Sequence, residues 1–123
     1  MSLNVTSANR SSRLAVVTRH SWRIRSSTQF VVAHPKQYHG QRVSVTGFAH
    51  VDGESFVLYC DKASAKRLDV RALSIAQRRN GPLHDYLNNR WVTATGIVDA
   101  EAHGLWNFPC ELLLDEAHTA RHQ

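Results

Sequence analysis

The sequence decides its fold at residues 43–47, Val-Ser-Val-Thr-Gly, and again at residues 92–96, Val-Thr-Ala-Thr-Gly. In both stretches apolar residues alternate with hydroxyl residues, the pattern of a strand with one buried face. A glycine inside a strand is costly unless the backbone bends there or another segment comes close. Its presence at the same place in both stretches predicts a bend or bulge of the kind that closes a small barrel.

Three further strands are predicted around these two stretches. The Asp52-Gly53 pair favours a tight hairpin turn, so the first two strands are expected to pair antiparallel. The Ala and Leu content of the third predicted strand leaves a helix open as the alternative. The five predicted strands span residues 42–48, 55–60, 70–76, 90–98 and 108–114.

Short helical segments are predicted at two places. Ser27 and Thr28 can cap a helix over residues 29–33, and Pro35 is a residue that stops such a helix. One or two helical turns are predicted over residues 83–87. A polar stretch from residue 61 to residue 69 precedes the third predicted strand.

The length of 123 residues predicts a single domain. Residues 1–26 are expected to form a basic N-terminal arm, partly disordered or with a short strand, because they offer little apolar surface to bury. Short extended pieces are possible there, over residues 13–17 and 21–24. Residues 27–116 are expected to form a barrel, and residues 117–123 a frayed tail.

Positive charge is concentrated in the first half of the chain. The formal net charge is +5, and residues 1–50 contain seven Lys and Arg but no Asp or Glu, against eight Lys and Arg and ten Asp and Glu thereafter. The N-terminal half would therefore supply most of the positive charge that binds a nucleic-acid ligand. No apolar run approaches the roughly 20 residues of a membrane helix.

Residues 34–47, His-Pro-Lys-Gln-Tyr-His-Gly-Gln-Arg-Val-Ser-Val-Thr-Gly, resemble a known bacterial pattern. They are similar to the N-P-x-x-Y-x-G-K-x-V-x-V-x-G start of small, largely uncharacterised bacterial oligonucleotide/oligosaccharide-binding (OB) proteins, some of them exported, grouped with tRNA-anticodon-binding-like domains. The resemblance covers about residues 27–116. It implies a mainly β, five-stranded OB-like Greek-key barrel with one or two short helices, a fold that binds single-stranded nucleic acids, oligosaccharides or proteins.

In such a barrel a ligand crosses the outer face of the second and third strands, between two loops. Exposed aromatic rings beside cations are what single-stranded nucleic acid requires. Carboxylates in the same loops, at Asp52, Glu54, Asp99 and Glu101, repel phosphates. The candidate ligand-binding residues are Trp22, Arg23, Arg25, Tyr59, Arg71, His103 and Trp106.

The function expected from the sequence is a non-catalytic binding domain for single-stranded nucleic acid. The alternative is a protein–protein interaction module or assembly factor, through another protein or self-association, without nucleic-acid binding. No catalytic residues, metal ligands or cofactors are predicted, because the eight histidines are scattered and no phosphate-loop or nucleophile motif occurs. His118 and His122 are four residues apart but have no third ligand in the sequence.

The two cysteines and the first residues of the chain indicate whether the protein is expected inside the cell or exported. Cys60 and Cys110 lack metal or redox spacing and are interpreted as buried small apolar residues, with a disulfide as the alternative. The first residues lack the charged and apolar regions of a signal peptide. We expect a cytoplasmic protein if residue 1 is the native start and an exported one if a signal segment has been removed.

Overall fold

The structure, a computed structural model, describes residues 24–53, 55–77, 81, 83–104 and 106–120. Six strands occur in these ranges: β1 (Ile24–Ser27), β2 (Arg42–Asp52), β3 (Ser55–Tyr59), β4 (Leu73–Ala76), β5 (Trp91–Asp99) and β6 (Cys110–Thr119). Three short α-helices accompany them: α1 (Thr28–Ala33), α2 (Pro35–Tyr38) and α3 (Lys62–Arg67). A 3-10 turn spans Asp85–Leu87.

Five of the strands close into a ring of hydrogen bonds. The order is β2-β3-β4-β6-β5, and β5 returns to pair with β2. All neighbours are antiparallel except β4 and β6, which run parallel. The predicted mainly β, barrel-like domain is confirmed. Its sheet has six strands, five of which form the ring, and the described chain has three short α-helices rather than the one or two predicted.

The barrel interior follows from the alternation read in the sequence. Val43 and Val45 of β2 are fully buried, as are Val92 and Ala94 of β5, which lies beside β2. Apolar side chains from the other strands complete one continuous core with α1. Burying alternate apolar residues on one face of each strand is the main force that holds such a barrel together.

The two glycines singled out by the sequence have different structural reasons. Gly96 follows a register shift between β5 and β6, and a Cβ there would meet the carbonyl oxygen of Leu113. At Gly47 an added Cβ would lie 2.5 Å from Thr28 Oγ1 and 2.6 Å from the carbonyl oxygen of Tyr59. The predicted bulge is therefore present at Gly96, whereas Gly47 makes room for the start of α1.

The segment before the barrel adds a strand and a capped helix. β1 runs parallel to the first half of β2, with Ile24 opposite Val43. Ser27 caps α1 as predicted, its hydroxyl accepting a hydrogen bond from the backbone N–H of Phe30 at 3.3 Å. α1 ends at Ala33. The extended piece predicted over residues 13–17 lies outside the described residues.

Several predicted boundaries are corrected by the structure. Residues 61–69, for which no helix or strand is predicted, contain α3. The third barrel strand begins at Leu73, because residues 69–71 form a turn in which Asp69 Oδ1 accepts the backbone N–H of Arg71 at 2.9 Å. β6 continues to Thr119, which pairs with Val92, and so enters the segment expected to be frayed.

Both cysteines are free thiols. Cys110 is fully buried in the core, and burial raises the pKa of its thiol to about 11. Burial also raises the pKa of the Cys60 thiol, with the neighbouring Asp61 carboxylate adding to the effect. Within the described ranges, no helix has the length and apolar character needed to cross a membrane.

Candidate nucleic-acid interface

The outer face of β3 and the start of β4 is covered by the chain itself. Val57, Tyr59, Ala72 and Phe108 are buried together in a cluster separate from the barrel core. Ala65 of α3 packs against the same cluster. The face on which the sequence placed a ligand is therefore occupied by the loop before β6 and by α3.

Two of the predicted ligand residues lie on or beside this covered face. Tyr59 is only 4% exposed, and burial raises the pKa of its hydroxyl, with a smaller contribution from the Asp69 carboxylate. Arg71 precedes β4 instead of lying on a strand, and its guanidinium contacts Asp69 at 3.3 Å. Neither group presents an unpaired cation or an open ring face to solvent.

The other predicted residues are not brought together with these two. Arg25 is exposed on β1, opposite Ser44 of β2. His103 and Trp106 lie in the loop between β5 and β6, where Phe108 N–H donates to the His103 carbonyl oxygen at 2.8 Å and the Trp106 side chain is 69% exposed. Trp22 and Arg23 lie outside the described residues.

Helix α3 positions side chains on two sides of itself. Asp61 is its N-cap and accepts the backbone N–H of Ser64 at 2.7 Å, a bond that, with the Ser64 hydroxyl, lowers the pKa of the Asp61 carboxyl. Lys62 and Lys66 are four residues apart and so share one face of the helix. Ser64 and Arg67 are three apart and share another face, joined by a 3.4 Å hydrogen bond.

The lysine side of α3 forms one wall of a cavity of about 420 Å³, which we call the basic groove. Its opposite wall is the outer face of β2, where Phe48 lies buried and His50 exposed. Within the part of the chain that the structure describes, neither lysine forms an ion pair, and no carboxylate lines the cavity. The groove is lined by Phe48, His50, Lys62, Ala65, Lys66 and Asn89.

A short backbone pairing holds Asn89 in the basic groove. Asn89 has a positive φ of 61°, and its N–H donates to the Ala49 carbonyl oxygen at 2.9 Å. On either side, Asn88 Oδ1 accepts the Val51 N–H at 2.8 Å and Arg90 accepts the Ala49 N–H at 2.9 Å. Asparagine tolerates this left-handed conformation, so the residue type suits the position. Its exposed amide adds an uncharged donor and acceptor to the groove.

The other side of α3 forms a smaller cavity of about 290 Å³, which we call the mixed-charge groove. Here Asp69 contacts the guanidiniums of both Arg67, at 3.5 Å, and Arg71, at 3.3 Å. Hydrogen bonds from Arg71 are the main reason that the pKa of Asp69 is lowered. The groove is lined by Gln29, Val32, Ala33, Cys60, Asp61, Ser64, Arg67, Asp69 and Arg71.

Sequence reasoning missed every residue of the basic groove. The available signal was the run Asp-Lys-Ala-Ser-Ala-Lys-Arg at residues 61–67, where an N-cap residue precedes good helix formers and two lysines are spaced one turn apart. The contribution of His50 and Asn89 carried no local signal, because only the barrel brings β2 and the segment before β5 beside α3.

The described ranges contain no group of three or more His, Cys, Asp or Glu side chains arranged to hold a metal ion. Comparison of the sequence with protein-family models and with curated proteins finds no match.

Proposed function

We propose that this chain is a non-catalytic OB-fold binding domain whose ligand is single-stranded nucleic acid, held by its phosphates in the basic groove. The observation that carries the proposal is the pair of lysines on one face of α3, both exposed and both without a carboxylate partner among the described residues. A cation that has no ion-pair partner can neutralise a phosphate without first breaking an ion pair. This neutralisation of phosphates supplies most of the affinity of proteins for nucleic acid.

The remaining lining supports an extended polar ligand. His50 and Asn89 add hydrogen-bonding groups on the wall opposite Lys62, and Phe48 gives the groove an apolar floor. The volume of about 420 Å³ is in the range of ligand sites. Among the described residues that line the groove there is no carboxylate and no nucleophilic thiol or hydroxyl, which supports binding over catalysis.

The charge distribution of the sequence supports the same ligand class. The excess of positive charge in residues 1–50 adds to the attraction between the chain and phosphates. The exposed Trp106 supplies an aromatic ring on which a base can stack. Its loop is anchored by Phe108 in the cluster against which Ala65 of α3 also packs.

The experiment is a fluorescence-anisotropy titration of labelled single-stranded DNA and RNA with the full chain, at about 50 mM and about 200 mM salt. We expect binding that weakens with salt. The variant Lys62→Ala/Lys66→Ala should lower the slope of log affinity against log salt by about 1.4, because each phosphate contact on a single strand contributes about 0.7.

The matched control is Arg67→Ala/Arg71→Ala. It removes the same number of positive charges from exposed residues at the end of α3 and just after it, but both of these guanidiniums contact the carboxylate of Asp69. We expect the salt slope of this variant to fall by clearly less than that of the lysine double variant. Equal losses in both double variants would mean that net charge, and not the basic groove, binds the probe.

A protein-interaction module is the second candidate, and two observations favour it. Leu68 and Val70, in the loop after α3, are 67% and 58% exposed. Among the described strands β1 is the edge strand of the sheet and pairs only with β2, and an edge strand is where a partner can add a strand of its own. Absence of any binding to single-stranded probes at about 50 mM salt would favour this candidate over the first.

A further inference from the structure

His50 lies on the wall of the basic groove opposite the two lysines of α3. It is exposed on the outer face of β2, directly across from Val57 of β3. Histidine is the side chain whose charge changes between about pH 5 and 8. The groove therefore holds two permanent cations and one position whose charge depends on protonation.

We propose that His50 is a proton-dependent third cation of the basic groove, so that this site binds phosphates more tightly as the pH falls. The inference rests on the proposed function of the groove. A phosphate bound between the walls favours the imidazolium over the neutral imidazole, because the imidazolium adds a positive charge and a second N–H donor. Binding and protonation are then coupled, and each must favour the other to the same extent.

The sign of the effect comes from the bound phosphate and not from the described groups around His50. From α3 it faces Lys62 and Lys66, both positive, and from the segment before β5 it faces the neutral amide of Asn89. On its own strand Asp52 lies two residues further along the same face, at the end of β2 and outside the groove lining. No described residue of the groove lining is an anion. A protonated His50 can therefore donate its hydrogen bond to a bound phosphate.

The test is a titration of labelled single-stranded DNA with the full chain at about pH 8 and about pH 6, each at two salt concentrations. We expect affinity to rise roughly fivefold at the lower pH, the lower end of the usual coupling between two binding events. The salt slope should steepen by about 0.7, the contribution of one further phosphate contact on a single strand.

Three variants make the test specific to His50. His50→Gln keeps a polar side chain without a proton-dependent charge, and it should bind as the unmodified chain does at about pH 8 but gain nothing at about pH 6. The variant His50→Lys should bind single-stranded DNA at both pH values as tightly as the unmodified chain does at about pH 6. The control His118→Gln removes another exposed histidine, on β6 and outside the groove lining, and should keep the full pH effect.

The outcomes separate this inference from the proposed function. Salt-sensitive binding with no pH effect, or with a pH effect that survives in His50→Gln, overturns the role of His50 and leaves the nucleic-acid proposal standing. Absence of salt-sensitive binding at both pH values overturns both. A pH effect that disappears in His50→Gln and persists in His118→Gln supports the inference.

Discussion

The two grooves beside α3 share a six-residue helix, yet the basic side chains are unpaired in one groove and ion-paired in the other. On one side Lys62 and Lys66 have no ion-pair partner in the described chain, whereas on the other Arg67 and Arg71 are both held by Asp69. The number of cations is the same on the two sides. The mixed-charge groove is lined by the carboxylates of Asp61 and Asp69, and Asp69 contacts both arginines. A paired cation binds a phosphate less well than an unpaired one.

The comparison also explains why net charge is a poor guide to the site. The chain is most basic in its first half, but two of the unpaired cations in the described structure lie in the second half, where acidic residues outnumber basic ones. Local pairing decides which charges remain available. A ligand site therefore has to be sought among individual side chains.

The largest expected effect comes from removing the carboxylate charge that pairs with the arginines of the mixed-charge groove. Asp69→Asn keeps the side-chain oxygen that accepts the Arg71 backbone N–H, so the turn is retained, but it removes the charge that holds Arg67 and Arg71. We expect the salt slope for single-stranded DNA to steepen by about 1.4, from two new phosphate contacts. Anisotropy titration at several salt concentrations measures it.

The same substitution should also rescue the loss of the lysines. Added to Lys62→Ala/Lys66→Ala, Asp69→Asn is expected to restore salt-sensitive binding through the other side of the helix. An unchanged salt slope in both backgrounds would show that the ion pairs with Asp69 do not distinguish the two grooves.

A smaller effect is expected from loosening the helix that both grooves share. Asp61→Ala removes the N-cap bond to the Ser64 N–H, and we expect single-stranded DNA to bind roughly threefold more weakly because α3 frays at its first turn. Asp61→Asn is the matched control, since asparagine caps helices about as well as aspartate. Equal affinities for Asp61→Ala and Asp61→Asn would mean that the cap does not hold the groove in shape.

The smallest expected effect is a pH dependence of stability from the two carboxylates beside α3. The pKa values of Asp61 and Asp69 are lowered in the folded chain by hydrogen bonds from Ser64 and Arg71. Their contribution to stability is thus complete above the unfolded-state pKa, about 3.9, and is lost as the pH falls through the lower folded-state values. Urea unfolding from about pH 7 to about pH 3 should show a smaller acid loss for Asp69→Asn than for the unmodified chain.

This window also sharpens the assignment to His50. Neither carboxylate changes its charge between about pH 8 and 6, so a change of ligand affinity in that range has to come from another group. A pH effect on affinity that Asp69→Asn abolished would contradict the assignment.

Much of the barrel could be predicted because its signals are local. Alternating residues in β2 and β5, the Asp52-Gly53 turn and the Ser27 cap each depend on a few neighbouring residues, and each is present in the structure. The missed helix α3 is short, and helices of this length depend on packing as much as on propensity. Ala65 supplies that packing against the outer cluster on β3.

The candidate site was predicted less well, because its residues are distant in the sequence. His50, Lys62 and Asn89 belong to three separate segments, and only the pairing of residues 88–90 with β2 and the packing of α3 bring them together. The place of Tyr59 on a strand predicts a ring that is exposed for stacking. The sequence could not show that Phe108, 49 residues later, lies in the same buried cluster.

By itself the sequence determined the periodic features of this protein: which residues of β2 and β5 face inward, where the first hairpin turns and where two strands contain a glycine. These features depend on steric and hydrophobic effects between near neighbours. Only the tertiary structure decided that Gly96 lies at a bulge against Leu113, that Gly47 makes room for Thr28, and that Asp69 leaves the lysines of α3 unpaired. Each of these depends on contacts between segments that meet only when the barrel closes.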